Sequence, residues 1–313
     1  MELTYFFNLY KSYRSDLKFS GNSNIKIFNF WPLQNPEDLW LHIFINRRSL
    51  IPKGESLSVY SVFGDRFKMK FDLFRPKIFF TGENSVYRPN YKDNCIKDVN
   101  LSLGHEYIKA DNYLRFPLWY FYFIKPWFTF QEVKKWVDNI SELNKSENIK
   151  ERKFCSLVSG HDPIGYRTQI FHLLSGIGNV DSGGQLLNNT NDLNILYQND
   201  KNQFIKNYRY NISLENSDSL GYVTEKIFHS IIAGCLPIYW GSQFNPEPTI
   251  LNTDRILFFD PLNQNKLFQQ IEALEKDKKL FNEFYNQDVF MQNAPEKIYE
   301  NFILLEKKIK EIF

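Results

Sequence analysis

The sequence is short of cysteine, of long apolar runs and of net charge, and each shortage excludes a class of protein. Its three cysteines, Cys95, Cys155 and Cys235, are odd in number, far apart and without CxxC or Cys/His ligand spacing. Neither a disulfide framework nor a structural zinc site is expected from them; buried, inert thiols are. A formal charge of +2 supplies no global basic field, so nucleic acid is not expected as a partner. The most apolar run, Phe116 to Ile124, is nine residues long and holds Pro117, against the ~20 residues that a membrane-spanning helix needs. No transmembrane segment is therefore expected. The N-terminus meets Lys11 and Arg14 before any apolar core of a secretory leader has formed. Asn-x-Ser/Thr sequons begin at Asn100, Asn139, Asn144, Asn188 and Asn211, the last inside an expected buried strand, where a glycan would block folding. The reading is a cytoplasmic protein, with peripheral attachment to a membrane as the alternative.

What the chain does have is a globular composition, 43% hydrophobic and 24% charged, with an unusual aromatic share of 30 Phe and 18 Tyr. Its 313 residues suit two lobes, each large enough for a core of its own. In the first half, short apolar runs (Ile25 to Trp31, Leu39 to Ile45, Leu57 to Phe63, Lys77 to Thr81, Val99 to Leu103) are rich in β-branched or aromatic residues and read mostly as strands. The polar stretch Ser141 to Arg152 reads as a linker. The expected division is an N-terminal lobe over 1–150, a C-terminal lobe over 151–294 and a closing helix over 295–313. That helix, with Ile298, Phe302, Leu305, Ile309 and Ile312 on one face, packs on its own lobe or back on the first. The second half alternates strand and helix: strands at Phe154 to Ser159, Tyr208 to Leu214, Leu236 to Trp240 and Ile256 to Phe259, helices at Pro163 to Leu174, Asn202 to Asn207 and Val223 to Ala233. Alternation of this kind implies an α/β fold around a parallel, doubly wound sheet.

The densest signal is Leu214-Glu215-Asn216-Ser217-Asp218-Ser219-Leu220-Gly221-Tyr222-Val223-Thr224-Glu225-Lys226-Ile227. A strand ends near Leu214, a polar loop follows, and a helix starts near Thr224, so Glu225 and Lys226 stand beside unpaired backbone N–H groups at a helix N-terminus. Such an end attracts phosphate through its donors and dipole, and Lys226 adds a full charge. For a generic Glu-Lys pair an ordinary turn with solvated charges is the better reading. Here the helix is followed by Ala233-Gly234-Cys235-Leu236-Pro237-Ile238-Tyr239-Trp240-Gly241, a tight return into a parallel strand, and ligands of open α/β sheets sit beyond the carboxyl ends of their strands.

These residues resemble the hallmark of the α1,3-fucosyltransferases, glycosyltransferase family 10, with Leu214 in place of a usual Phe and the spacing otherwise intact. The resemblance extends to Phe80-Thr81-Gly82-Glu83-Asn84, to Leu114-Arg115-Phe116-Pro117-Leu118, and to Arg167 with Asp181-Ser182-Gly183-Gly184. Gly160-His161, where relatives tend to carry an Asn after Ser, and the short loop from Gly241 to Asn245-Pro246 depart from it. The family implies a GT-B fold, two Rossmann-like doubly wound lobes facing a cleft, with an oligosaccharide acceptor held mainly by the first lobe and the GDP-fucose donor mainly by the second. It also implies transfer of fucose with inversion, α1,3 to the GlcNAc of N-acetyllactosamine-type chains that carry Lewis structures. Carried over by position, Arg167 and Lys226 neutralise the diphosphate, Asn216 and Tyr222 line the nucleotide with Val223 and Thr224, Glu225 contacts ribose or fucose, and Glu83 is the general base.

The chemistry calls for these types. A departing diphosphate gains negative charge that preorganised cations stabilise, and a carboxylate must take the acceptor hydroxyl's proton. Without the family, Glu83 in Gly-Glu-Asn reads as a turn residue. No Asp-x-Asp pair, the arrangement that offers two hard carboxylates to Mg or Mn, occurs in the chain, so no obligatory metal or other cofactor is expected. His42, His105, His161, His172 and His229 show no ligand spacing; His161, just after an expected strand, stays open. The aromatic cluster Trp119 to Phe123 with Trp127 reads as core ahead of a stacking surface for sugar rings. Two other readings of the whole remain: the same fold acting on another acceptor or a related GDP-sugar, and a GDP-sugar-binding protein without catalysis.

Overall fold

The computed structural model describes residues 3–31, 35–145 and 149–313. It divides into two compact units, residues 1–129 with 299–313, and residues 130–298. Among the described residues no helix is long and apolar enough to cross a membrane.

Unit 1 contains α1 (Leu3–Phe19), β1 (Ile25–Phe28), α2 (Trp40–Arg47), β2 (Leu57–Tyr60), β3 (Lys77–Phe80), β4 (Leu101–Gly104), β5 (Tyr113–Arg115) and α3 (Trp119–Phe123). Its sheet is all parallel and runs β1-β2-β3-β4-β5 with no reversal of order. The strands are buried along nearly their whole length, which is why they read as continuous apolar runs rather than as alternation. One run expected as a strand is a helix. Leu39 to Ile45 forms α2, because Trp40, Leu41, Phe44 and Ile45 fall on one helical face and are all buried. Trp40 and Phe44 stack at 5.1 Å and meet Phe302 at 5.4 and 5.5 Å, so the last fifteen residues, 299–313, belong to this core.

Unit 2 contains α4 (Phe130–Leu143), β6 (Lys153–Leu157), α5 (Tyr166–Ser175), β7 (Val180–Ser182), α6 (Asp192–Ile195), α7 (Lys201–Ile205), β8 (Tyr208–Ile212), α8 (Glu225–Ile232), β9 (Leu236–Tyr239), β10 (Leu257–Phe258), α9 (Gln264–Lys276) and α10 (Lys278–Tyr285), and the start of α11 (Ala294–Lys310). Its parallel sheet is ordered β10-β9-β8-β6-β7. The chain goes from β6 outward to β7 and then returns to the other side of β6 with β8, so the order reverses between β6 and β8.

The boundary lies at Phe130 rather than after residue 150. Helix α4 buries Val133, Val137 and Ile140 at helical spacing. Asn144 Nδ2 donates to the Ile231 carbonyl at 2.8 Å, and Trp136 packs near Phe228, all within unit 2. The polar stretch expected as a linker is therefore the end of that helix and a short 3-10 turn at Ile149–Glu151, with residues 146–148 outside the described part. All three cysteines are buried and free, and Asn211 is tied inside β8 by Ser156 and Ser230 at 2.8 Å each.

Candidate functional site

The order reversal in unit 2 places a small polar cavity of about 20 Å³ at the carboxyl ends of β6 and β8, lined by Ser159, Ser213, Leu214, Arg167, Lys201 and Lys226 among others. A point of reversal leaves the two flanking loops diverging, which opens a crevice there. Arg167, on the first turn of α5, is 3% exposed. Its Nη1 donates to the His161 carbonyl at 2.6 Å and its Nη2 to the Leu214 carbonyl at 2.7 Å and Asn216 Oδ1 at 2.8 Å. Asp162 anchors the turn beneath it, accepting from the Arg167 and Thr168 backbone N–H at 3.2 and 2.8 Å. His161 thus contributes its carbonyl, while its ring is exposed.

The loop from β8 to α8 is organised around a carboxylate that sequence reasoning gave no role. Glu215, 2% exposed, accepts from Thr224 N at 2.8 Å through Oε1 and from Thr224 Oγ1 at 2.7 Å through Oε2. Lys226 Nζ lies 3.3 Å from Glu215 Oε2, donates to Thr224 Oγ1 at 2.9 Å and stands 3.5 Å from Glu225 Oε1. Thr224, the residue before α8, makes no side-chain cap, so its hydroxyl serves Glu215 rather than the helix's N–H groups. Gly241 is required by the same carboxylate: a Cβ there would meet Glu215 Cγ at 2.8 Å, on a backbone with φ of +135° that side chains avoid. The loop closes with Gly221 N donating to Ser242 Oγ at 3.1 Å and Gln243 N to Asp218 Oδ1 at 2.6 Å. Tyr222 and Val223 are buried beside it.

The electrostatics follow from this packing. Burial pushes the Lys226 ammonium down, but Glu215 and Glu225 more than offset it and hold Lys226 above the usual lysine range. Burial raises the Glu225 carboxyl, yet Lys226, its own backbone N–H at the helix start and Lys201 leave it below the ordinary value. His229, one turn into α8, is lowered to about 4 by burial and by Lys201, and so is neutral at pH 7.

Of the residues expected in the second lobe, Arg167 and Asn216 form one hydrogen-bonded group, and Thr224, Lys226 and Glu225 form another around Glu215, with Tyr222 and Val223 in the same loop. Lys201, from α7, lines the same cavity and was not anticipated. Its only local signal is Asp200 before it, which marks a helix start and says nothing of where the ammonium goes.

Glu83 lies elsewhere, in a second cavity of about 470 Å³ within unit 1, lined by Trp31, Asp38, Leu39, Trp40, Phe63, Gly82, Glu83, Leu118, Phe121 and Tyr122. It follows β3 in a tight turn in which Thr81 Oγ1 donates to the Glu83 carbonyl and accepts from its N–H, both at 3.1 Å. Asn84 caps the next turn by accepting from Val86 N at 3.0 Å. The carboxylate of Glu83 makes no hydrogen bond or ion pair with any described residue and points to no structural duty. The aromatic cluster divides: Trp119 and Tyr120 are fully buried core, whereas Phe121 and the half-exposed Tyr122 line the cavity. Trp31 and Phe63, edge to face at 5.8 Å, belong to the cavity wall and were not singled out from the sequence.

Two family models match the chain. Residues 130–302 match glycosyltransferase family 10 (fucosyltransferase) C-term, and residues 25–122 match the alpha-(1,3)-fucosyltransferase FucT N-terminal domain. The alpha-(1,3)-fucosyltransferase FucT of Helicobacter pylori is 29% identical over 200 residues, 55% of this chain and 39% of that protein. Alpha-(1,3)-fucosyltransferase B of Drosophila melanogaster is 28% identical over 134 residues, 40% of this chain and 30% of that one. The matched parts are thus well under half the length of these curated relatives. A crystal structure of an alpha1,3-fucosyltransferase with GDP-fucose superposes with a TM-score of 0.63 at 23% identity, covering 95% of this chain and 96% of the other. The fold is the α/β, GT-B type with two parallel sheets, of which only that of unit 2 has the order reversal of a doubly wound sheet.

Proposed function

From the premise that the chain belongs to glycosyltransferase family 10, the fucosyltransferases, we propose that it transfers L-fucose from GDP-fucose to a hydroxyl of a glycan acceptor. The acceptor we propose is the GlcNAc of an N-acetyllactosamine-type chain, fucosylated α1,3 with inversion. The observation that carries this reading is the Glu215-centred loop, which holds Lys226 at the N-terminus of an uncapped helix beside the buried Arg167.

In the reaction the bond between fucose C1 and the β-phosphate oxygen breaks, the acceptor oxygen bonds to C1, and the acceptor's proton leaves. Arg167 and Lys226 act on the leaving group. Both are fixed before substrate arrives, so charge that builds on the departing GDP meets cations needing no reorganisation. Glu225 is available to a sugar or ribose hydroxyl, being held ionised by Lys226. Asn216, Tyr222, Val223 and Thr224 shape the donor pocket around them. Glu83 takes the proton, which its free carboxylate permits, and the aromatic walls around it suit the apolar faces of sugar rings. No metal enters this scheme, because the cations and the helix N-terminus already meet the diphosphate's charge.

The test is purified protein with GDP-fucose and a panel of glycan acceptors, reading GDP release and the anomeric configuration and linkage of the product by NMR, with titration calorimetry of GDP in EDTA alongside. We expect a β-linked donor to give an α-linked product and GDP to bind in chelator. Binding that needs a divalent ion overturns the metal-free scheme. GDP binding with no transfer to any acceptor supports the non-catalytic reading instead.

A further inference from the structure

We propose that Lys201 is a third phosphate-binding cation of the unit 2 site, meeting the donor's diphosphate together with Arg167 and Lys226. The assignment rests on the GDP-sugar reading above and extends it to a residue outside the motif.

Lys201 opens α7 and lines the cavity at the reversal between β6 and β8 with Arg167 and Lys226. Its neighbour Asp200 is already committed, accepting from Asn202 N and Gln203 N at 2.9 and 3.1 Å. Glu215 is committed too: both of its oxygens serve Thr224, and one also serves Lys226. Glu225 pairs with Lys226. The Arg167 guanidinium rests on neutral oxygens of His161, Leu214 and Asn216. Three cations therefore line one cavity, and Glu215 and Glu225, the two carboxylates that act on Lys201, are both engaged with Lys226.

The half-buried Lys201 ammonium has no hydrogen bond or ion pair with any described residue. A lysine held out of water among like charges, with nothing to bond, is a poor structural element, and an arriving diphosphate is the group that would relieve it. The balance of its surroundings agrees. Burial pushes the ammonium below the usual lysine range, Lys226 and Arg167 push the same way, and Glu225 and Glu215 pull only partly back. Neutral His229, bonded to Asn202, adds no charge.

The test compares the 313-residue chain with K201M and K201R by titration calorimetry, using GDP and GMP over a matched series of ionic strengths. Removing one charge-assisted phosphate contact should weaken GDP roughly tenfold or more. GMP should lose less, and the salt dependence of GDP binding should become shallower. K201R, which keeps the charge, should restore most of the GDP affinity. Equal losses for GDP and GMP that K201R fails to restore, with a lowered melting temperature, would make Lys201 a structural residue and overturn the assignment. Unchanged GDP affinity in K201M would also overturn it while leaving the donor reading intact. Wild-type protein that binds no GDP would overturn the donor reading itself.

Discussion

The two units share an all-parallel, five-stranded sheet but prepare for ligand in opposite ways. In unit 2 the strand order reverses, and the groups at that point are buried and held by neighbours: Arg167 by Leu214 and Asn216, Glu215 by Thr224 and Lys226. In unit 1 the order never reverses, and the cavity is a much larger hollow, half of its lining aromatic, whose Glu83 carboxylate has no partner among the described residues. The difference is one of preorganisation. A charged ligand part is best met by fixed charges whose desolvation was compensated when the chain folded. A neutral, hydroxylated ligand is met by flat apolar faces and a few free polar groups. The unit 2 site should therefore be bound up with stability, and the unit 1 site nearly independent of it.

The largest expected effect tests that coupling. Glu215→Ala leaves Lys226 without its buried partner and Thr224 N without an acceptor, and should destabilise the protein by about 3 to 5 kcal/mol. Urea denaturation, with hydrogen exchange across residues 215–226, would read it. Next comes the opposite case: Glu83→Gln should leave the urea midpoint and GDP affinity in place while turnover falls roughly 10²-fold or more, the usual contribution of a positioned base. Loss of stability in Glu83→Gln, or none in Glu215→Ala, would break the comparison.

Acid should act on both units through histidines lowered by burial. His105 in unit 1 and His229 in unit 2 are lowered to about 4 from an ordinary 6.5, in both cases chiefly by burial, so each is neutral when folded at pH 7. A group whose folded pKa lies below its unfolded one contributes its stability fully above pH ~6.5 and loses it as pH falls toward 4. Stability at pH 5 should be lower than at pH 7.5 by roughly 1 to 2 kcal/mol per histidine. His105→Asn and His229→Asn should each flatten part of that slope; a slope that neither variant changes would place the acid sensitivity elsewhere. The smallest effect belongs to the aromatic wall. Tyr122→Ala should raise the acceptor KM about five- to tenfold with kcat and GDP affinity largely kept, the size of one stacking contact. A change in GDP affinity instead would contradict the division of labour.

The unit 2 site was readable because it is contiguous. Residues 214 to 227 and the return to Gly241 carry strand end, loop and helix start in one segment, so spacing alone places Lys226 at a helix N-terminus. Two residues of that site escaped, for different reasons. Glu215 stands inside the motif, but a carboxylate after a strand looks like any solvated loop acid until its burial against Gly241 is seen. Lys201 comes from a separate helix. In unit 1, Leu39 to Ile45 misled as a strand because an apolar run in which six of seven residues are buried carries little period to distinguish helix from strand. The boundary misled as well, since a polar stretch marks a loop without saying which unit owns the helix before it.

By itself, then, the sequence determined what local pattern and short spacing can express: α/β architecture in the second half, the strands of both sheets in outline, the helix start at Thr224-Glu225-Lys226, and the family. The tertiary structure decided what depends on residues distant in the chain. It set the reversal between β6 and β8, the burial that turns Glu215 from a surface acid into the loop's anchor, the arrival of Lys201 beside Arg167, and the aromatic hollow assembled from Trp31, Phe63, Phe121 and Tyr122 around Glu83. The physical reason is that desolvation and convergence of charge are properties of a packed neighbourhood, and a neighbourhood drawn from four or five separate segments leaves no periodicity in any one of them.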